Sequence, residues 1–376
     1  MSNTLTNVIP QLLAQGLLAL REFSIMPRLV NRNYDLMASQ HGATITIPIP
    51  SAVAVQSVVA AATPATNTQL SPTYASIEMS SWEEAPFTLS DKELMEAMTG
   101  TIPMQASEAI KALANKVDGD IMTLYKKVYG CAGTAGTTPF ASTIADATAV
   151  RKVLNNQLAA LNDRRMVIDA DAEANALSLQ AFYDMSMSGS AQGLIEGQIN
   201  RKLGFDWFMS QNVPSHLCGA RGATSYAINN ATTTVGMTQC AIDTGTGDIH
   251  EGEIFTVAGD TQTYTTLTGC TTTLLKFSPA SKVAWANDAV VTFKGAANST
   301  YSVNLGFHRD AFAFVTRPLA DNTDGLGNMI QAAVDPVSGL TLRLEVSREH
   351  RRTRFAYDIL YGFACVRPEL ACRLLG

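Results

Sequence analysis

The sequence has few charged residues for its length. Of its 376 residues, 46% are hydrophobic and only 16% are charged, whereas average domains carry about 25% charged residues. Because surface charge keeps proteins soluble, we expect a chain this poor in charge to cover much of its surface with copies of itself. The alternative is a globular enzyme rich in small residues. The net charge of −6 argues against a dedicated nucleic-acid-binding protein, whose binding surface is usually basic.

The six cysteines form no recognisable metal or redox motif. None belongs to a Cys-x-x-Cys pair, and none stands at zinc-ligand spacing from a histidine. This scatter is typical of reduced thiols in a cytoplasmic protein. A disulfide bond between Cys240 and Cys270 remains an alternative.

Long apolar runs are also lacking. No stretch reaches the roughly 20 apolar residues that a membrane-spanning helix needs, and the apolar stretch 8–20 has no basic region before it, so we predict no signal peptide. Residues 4–22 instead predict a short helix with a wide apolar face that includes Leu12, Leu13 and Leu17. Such a face must pack on its own domain or on a neighbouring chain.

No catalytic or cofactor-binding constellation is present. Asp243-Thr244-Gly245 matches the triplet of aspartic proteases, but those enzymes need two carboxylates and the triplet occurs once. The glycine-rich segment 130–138 lacks the Gly-Lys-Ser/Thr of a phosphate-binding loop. His250 with Glu251 and Glu253 could contact a cation, although a solvated turn is the simpler interpretation. No reaction type, cofactor or metal site follows from the sequence.

A long hairpin is predicted near the N-terminus. Residues 43–50 alternate with period two and include Ile47 and Ile49, but Pro48 and Pro50 restrict the segment to an edge strand or a free arm. An uncharged stretch, 51–72, follows, and residues 73–89, with Trp82, predict the returning strand. An isolated two-stranded hairpin is marginally stable in water. We therefore expect this hairpin to lie on a neighbouring subunit or to fold over its own core.

Helices dominate the next part of the chain. Apolar residues at helical spacing predict a long helix over 105–129, with Gly130 as its C-terminal cap. Residues 143–161 predict a second helix, and residues 171–187 a third with Asp171 as its N-cap. Strands are expected at 165–169 and, as strand or loop, at 206–217.

A β-rich insertion follows. Threonine becomes frequent from about residue 231 to 300, and short strands with turn signals between them are expected at 253–258, 261–268, 272–278 and 289–294. Such spacing indicates a small barrel or sandwich. Helical patterning resumes at 309–316. The ends of the insertion, near residues 230 and 300, should therefore lie close together.

The C-terminal region predicts a half-exposed hairpin and a buried strand. Residues 340–355 alternate between apolar and charged, and residues 358–365 form an apolar run that Pro368 stops soon afterwards. The arginines of this region, among them Arg348, Arg351 and Arg352, are interleaved with acidic residues. They form either cross-strand ion pairs on a solvated hairpin or a charged contact with a neighbouring subunit.

This order of elements resembles the major capsid proteins of tailed bacteriophages with the Hong Kong 97-like fold, in particular podophage coat proteins that carry an insertion domain. The resemblance spans nearly the whole chain. Two segments match it most specifically: 233–237 leading through 252–259, and the closing 361–369.

The resemblance implies an α+β fold with an inserted all-β, barrel-like domain. It implies these parts: an N-terminal helix and arm (1–41), an E-loop hairpin (42–92), a peripheral domain with a spine helix (93–140), a first axial segment (141–229), a β-rich insertion (230–300), and a second axial and peripheral segment with the C-terminal strand (301–376). On this basis the expected contacts between subunits involve Leu12, Leu13, Leu17, Ile47, Ile49, Trp82, Arg348, Arg351 and Arg352.

The family implies a structural protein and no enzyme. Its subunits tile an icosahedral shell as hexamers and pentamers around double-stranded DNA, without sequence-specific binding and without a membrane, after assembly in the host cytoplasm. Further implied partners are a portal protein and, since no long charged helix precedes the fold, a separate scaffolding protein. Some relatives crosslink through an E-loop lysine, but here no lysine precedes Lys92. The alternatives are an orphan cytoplasmic enzyme with a β-domain insertion and a phage tail or adhesin protein.

Overall fold

The chain folds into an α+β structure. The computed structural model describes residues 24–34, 44–50, 53, 55, 72–92, 101–184, 195, 197, 199, 201–222, 224–229, 233–319, 329–334 and 340–376. The helix predicted over residues 4–22 lies outside these residues. The described helices are α1 (Met26–Leu29), α2 (Thr101–Met122), α3 (Ala145–Asn156), α4 (Ala170–Ser178) and α5 (Gln180–Tyr183).

The long helix α2 is present but ends earlier than predicted. It has 22 residues and is about 33 Å long, and a 3-10 turn, Thr123–Lys127, replaces its expected last turns. Gly130 is not a helix cap, because it begins strand β4 (Gly130–Gly133). A Cβ atom at Gly130 would lie 2.7 Å from the carbonyl oxygen of Ala371, so the close approach of two strands requires glycine here.

The next two helices also have different ends from those predicted. Helix α3 stops at Asn156 rather than at residue 161, and Leu158 beyond it has φ 59°. Asp169, not Asp171, caps α4, because its Oδ1 accepts a hydrogen bond of 3.0 Å from the main-chain N–H of Ala172. The predicted helix 171–187 is interrupted at Leu179, whose extended backbone separates α4 from α5.

One sheet, here named the long-strand sheet, is built around β18. It contains β3 (Ser81–Ser90), β15 (Phe312–Arg317), β16 (Met329–Val334), β17 (Thr341–Glu349) and β18 (Arg352–Cys365). Strand β3 pairs with one edge of β18, while β17 and then β15 occupy the other edge. The C-terminal hairpin predicted at 340–355 is thus β17 and the start of β18.

The helical pattern predicted at 309–316 is wrong. A 3-10 turn, Arg309–Ala311, leads directly into strand β15. Both faces of β15 are buried, so its apolar run has no period-two alternation, and a short apolar run does not distinguish a buried strand from a helix.

A second sheet, here named the terminal sheet, carries the end of the chain. Its order is β4, β19 (Ala371–Leu375), β14 (Thr300–His308), β5 (Arg164–Ile168) and β6 (Asp206–Met209), with β7 (Ser215–Leu217) also paired to β14. The strand predicted at 165–169 is β5, and the segment 206–217 forms two strands. The last strand is β19 rather than the buried run 358–365, and all five of its residues are buried.

The N-terminal hairpin has its base on the body of the same chain. Strands β1 (Thr44–Ile49) and β2 (Thr73–Glu78) pair antiparallel, and Ile45 and Ile77 pack with Val315 of the long-strand sheet. The predicted strand 73–89 is in fact β2 and β3, which Met79 and Ser80 separate. Most of the segment 51–71 lies outside the described residues.

The β-rich insertion is a barrel-like sheet of six strands. These are β8 (Ala227–Ile228), β9 (Gln239–Asp243), β10 (Ile254–Val257), β11 (Tyr264–Thr266), β12 (Leu274–Ser278) and β13 (Val291–Phe293). The main-chain N–H of Val291 donates to the carbonyl of Tyr226 at 2.8 Å, which joins the first strand region to the last. All six cysteines are free thiols, so the proposed Cys240–Cys270 disulfide alternative is wrong.

The chain enters and leaves the barrel at neighbouring positions, and the barrel sheet begins before the predicted boundary at residue 230. The main-chain N–H of Cys218 donates to the carbonyl of Ser299 at 2.9 Å, and β8 belongs to the barrel sheet. The described strands therefore place the entry near Cys218 and the exit near Ser299. The barrel has its own apolar core, which includes Phe255, Tyr264, Phe277 and Trp285.

The largest core lies between α2 and the two sheets of the body. The buried stripe of α2, Ile110, Leu113, Val117 and Ile121, packs in one cluster with Tyr357 and neighbouring residues of the long-strand sheet. Residues of the terminal sheet, such as Leu305, belong to the same cluster. The helix therefore holds the two sheets in a fixed relation, and the barrel is attached beyond its C-terminal end.

Candidate inter-subunit surfaces and the barrel junction

The residues predicted to contact other subunits have different environments in the single chain. Leu12, Leu13 and Leu17 lie outside the described residues. Ile47 is only 4% exposed, because it packs in the cluster at the base of the hairpin, while Ile49 is half-buried. Ile47 therefore stabilises its own subunit and presents little surface to another.

Trp82 is the one aromatic residue among these predicted contact residues, and its side chain is exposed. Its side chain is 61% exposed, and its indole Nε1–H donates a hydrogen bond of 3.1 Å to Oδ2 of Asp358. The bond restricts the ring's orientation while most of its surface stays open. A rigid, exposed indole is a typical anchor of protein–protein contacts.

Apolar side chains of the hairpin are also exposed. Val53 is 62% exposed, Val55 is fully exposed, and Tyr74 on β2 is 65% exposed. Single exposed apolar residues are common on proteins, but these follow one another along a segment that contains no charged residue from 42 to 77. The hairpin thus presents an uncharged, partly apolar surface.

The arginines of the C-terminal hairpin form ion pairs within the chain. Arg354 binds both carboxylate oxygens of Glu84 at 2.8 Å, Arg348 binds Asp91 at 2.7 Å, and Arg352 pairs with Glu349. These are the ion pairs of the first predicted alternative. Exposed pairs of this kind contribute little stability, so they remain free to exchange partners at a contact.

Arg351 differs from its neighbours. It occupies the turn between β17 and β18 with φ 55° and is exposed. It has no ion pair with any residue that the structure describes. A charge at the tip of a hairpin is available to another molecule.

The triplet considered for catalysis lies at the end of a barrel strand. Asp243 ends β9, and Thr244 and Gly245 form the following turn, in which Thr244 has φ 60°. Within the described part of the chain, no group of three His, Cys, Asp or Glu side chains could hold a metal ion. No helix in that part is long and apolar enough to span a membrane.

The sequence did not predict the polar junction between barrel and body. Arg373 of β19 is fully buried. Its guanidinium donates to the main-chain oxygens of Gly252 and of Lys126 and to Oγ1 of Thr265. These three acceptors belong to the barrel and to the 3-10 turn after α2. Burial, the main cause, lowers the pKa of Arg373 to about 10.

A buried ion pair stands at the entry to the barrel. Arg221 and Glu253 are in contact, with side chains 7% and 2% exposed. Oε1 of Glu253 also accepts hydrogen bonds of 2.8 Å from the main-chain N–H groups of Gly219 and His250. The guanidinium of Arg221 lies 4.2 Å from the centre of the Phe293 ring. This carboxylate therefore links the segment that enters the barrel, at Gly219, to the loop before β10, at His250.

The N-terminal segment is fixed by another buried carboxylate. Asp118 of α2 is fully buried and accepts hydrogen bonds of 3.0–3.1 Å from the main-chain N–H groups of Ile25 and Met26. Burial raises its pKa to about 6, and these hydrogen bonds oppose the shift. A single polar residue within an apolar stripe or strand, as at Asp118 and Arg373, is the sequence signal that could have indicated both sites.

Comparisons with known proteins find similarity in structure only. No family model matches the chain, and no curated protein is similar to it in sequence. A solved chain from Mycobacterium phage Che8 superposes with a TM-score of 0.56 at 15% identity, over 93% of this chain and 90% of that one.

A second solved chain comes from the capsid of the cyanophage P-SCSP1u. It superposes with a TM-score of 0.50 at 14% identity, over 93% of this chain and 87% of that one. Identities this low establish a likeness of fold alone. The chain therefore shares the α+β fold of a phage capsid chain, in agreement with the Hong Kong 97-like fold that the order of its elements predicted.

Proposed function

We propose that this chain is the major capsid protein of a tailed bacteriophage and forms the icosahedral shell around its double-stranded DNA. The observation that carries the proposal is the shared fold with the cyanophage capsid chain, which covers 93% of this chain rather than one domain of it. A fold does not by itself determine function. The surface of the chain supplies the independent support.

The surface fits repeated contacts between copies. Only 16% of residues are charged, the hairpin exposes Val53, Val55 and Tyr74, and Trp82 presents an oriented indole. A subunit that covers these groups with its neighbours needs little surface charge.

The proposal includes the partners that the fold implies. The chain would assemble with itself as hexamers and pentamers, with a portal protein and a separate scaffolding protein, and would enclose DNA without reading its sequence. It would act in the virion after assembly in the host cytoplasm. The barrel between Cys218 and Ser299 makes a podophage coat protein with an insertion domain the preferred subgroup, and its outer or lateral surface would brace neighbouring subunits.

The test is electron microscopy of the expressed chain, with and without residues 55–70. We expect the full chain to form shells or sheets of capsomers, and the deleted chain to remain a folded monomer, because the uncharged end of the hairpin would lie on a neighbour. A variant in which a Gly/Ser segment of equal length replaces residues 55–70 separates loss of side chains from loss of length.

Three outcomes would contradict the proposed function or the proposed role of the hairpin. Discrete small particles from the full chain would favour the enzyme, and fibres or tubes would favour a tail or adhesin protein. Normal shells from the deleted chain would leave the capsid function intact and contradict only the role of the hairpin.

We expect the shell to be held together without covalent bonds. No lysine precedes Lys92, the last residue of the predicted hairpin, so residues 42–91 lack the group that some related capsids crosslink, and the described cysteines are free. Assembled particles boiled in detergent with reductant should run as one band near 40.2 kDa. A ladder of multimers that survives this treatment would contradict the expectation. Particles should also remain assembled at high salt. Salt screens exposed ion pairs such as Arg348–Asp91, but it has little effect on apolar contacts.

A further inference from the structure

His216 lies where the barrel joins the body. It is the central residue of β7, two residues before the barrel entry at Cys218, and β7 pairs with the start of β14, where the chain leaves the barrel. Its side chain is only 3% exposed. Its ring contacts Tyr125 of the 3-10 turn and Tyr301 of β14, with ring centroids 5.7 and 5.4 Å away. The imidazole is therefore enclosed by the elements that hold the barrel in place.

The hydrogen bonds of His216 fit a neutral ring. Nδ1 lies 2.9 Å from the hydroxyl of Tyr125, and this pair can share one proton in either direction. Nε2 is buried and has no hydrogen-bond partner among the described residues. A protonated imidazole has two N–H donors, so a proton added here would lack an acceptor at one nitrogen.

The charged groups with the largest effect on His216 are basic. They are Arg373 from β19, Lys126 from the 3-10 turn, and His250 and Arg221 from the loops of the barrel. The carboxylate of Glu253 is already engaged by Arg221, and Glu251 raises the pKa of the neighbouring Tyr125. An imidazolium would therefore be a second buried cation beside Arg373, whose acceptors are all neutral.

We propose that His216 is an acid-sensitive switch whose protonation opens the contact between the barrel and the body while the barrel itself stays folded. The open state gives the imidazolium access to water, which screens its repulsion with Arg373. The contacts that break are those of Arg373 and Lys126 of the body with Gly252 and Thr265 of the barrel. The inference goes beyond the proposed capsid function and does not depend on it.

The direction of the effect follows from linkage. Burial, followed by the neighbouring cations, lowers the pKa of His216 from 6.5 to about 4. A base whose pKa is lower in the closed state stabilises that state at pH values above 6.5, and the stabilisation is lost as the pH falls from 6.5 towards 4. With these two pKa values, the equilibrium constant for opening is about 30 times larger at pH 5 than at pH 8.

The test measures thiol exposure in the purified full-length chain. Cys218, 2% exposed, lies at the junction, and Cys240, 3% exposed, lies in the core of the barrel. Both are labelled with 4,4′-dithiodipyridine, which reacts in acid, at pH 8 and pH 5, and each site is quantified by peptide mass spectrometry. Rates are divided by that of a small reference thiol at the same pH. We expect Cys218 labelling to rise about 30-fold and Cys240 labelling to stay unchanged.

Two variants test the origin of the change. His216→Gln cannot gain a proton but can still bond with Tyr125, and it should keep Cys218 protected at pH 5. His350→Gln, at an exposed histidine in the turn between β17 and β18, should behave as the unchanged chain does. The proposal is overturned if His216→Gln keeps the acid response. If that variant does not fold, the unchanged chain still decides: a parallel rise at Cys218 and Cys240 means global unfolding, and no rise at Cys218 means no switch.

Discussion

Replacing Arg373 with methionine is expected to lower the free energy of unfolding by about 3 kcal/mol. The guanidinium makes three hydrogen bonds to buried acceptors on Gly252, Lys126 and Thr265, and hydrogen bonds to a charged group contribute about 1.5–3 kcal/mol each. Against this stands the cost of burying the charge. Burial lowers the pKa of Arg373 from 12.5 to about 10, so we expect a net effect smaller than the sum of the three hydrogen bonds.

Urea unfolding of the unassembled chain measures this effect. Arg352→Met is the matched control, because Arg352 has a side chain that is 56% exposed and an exposed partner, and it should change stability by less than about 0.5 kcal/mol. Arg373→Lys should fall between the two, since an ammonium group cannot reproduce the fork of a guanidinium. Equal stability of Arg373→Met and Arg352→Met would show that Arg373 does not hold the junction.

Replacing Glu253 with glutamine is expected to cost about 3–5 kcal/mol. The change keeps the shape of the side chain but removes its charge, which leaves Arg221 buried without a compensating carboxylate. It also weakens the hydrogen bonds from the main-chain N–H groups of Gly219 and His250. The loss should appear in the unfolding free energy at neutral pH.

The double variant Glu253→Gln with Arg221→Met tests whether the loss of stability comes from the missing ion pair or from the unpaired charge of Arg221. Removing both charges should recover part of the stability, because the penalty comes largely from an unpaired buried cation. Glu108→Gln serves as a surface control: its partner Lys111 lies 2.7 Å away and both side chains are exposed, so a change of at most about 1 kcal/mol is expected. A double variant less stable than Glu253→Gln would refute this explanation.

Much of the fold could be predicted from local sequence patterns. Period-two alternation indicated β1, β17 and the start of β18, and the apolar stripe of α2 indicated a long helix. The threonine-rich region with its turn signals indicated the barrel, and the order of elements led to the capsid fold. These features depend on residues close together in the chain, so the sequence alone determines them.

Tertiary contacts decided the ends and types of other elements. Strand β15 has a helical pattern in the sequence, but it pairs with β18, and its two faces are buried in the cluster at the base of the hairpin and in the largest core. Helix α2 changes to a 3-10 turn at Thr123, and the carbonyl of Lys126 in that turn accepts hydrogen bonds from Arg373 and Thr265. The segment 73–89 divides because β2 pairs with β1 while β3 pairs with β18.

The sequence did not show which polar residues meet at the junction. Its donors and acceptors, Arg373, His216, Glu253 and the turn at Lys126, are separated by up to 247 positions along the chain. The position of Arg373 within an apolar strand indicates burial but not its partners. The sequence by itself determined β1, β17, the start of β18, the long helix and the β-rich character of the barrel region, because these follow from local periodicity and composition. Only the tertiary structure decided which polar groups are buried together, because burial in the same place turns scattered charges into one coupled site.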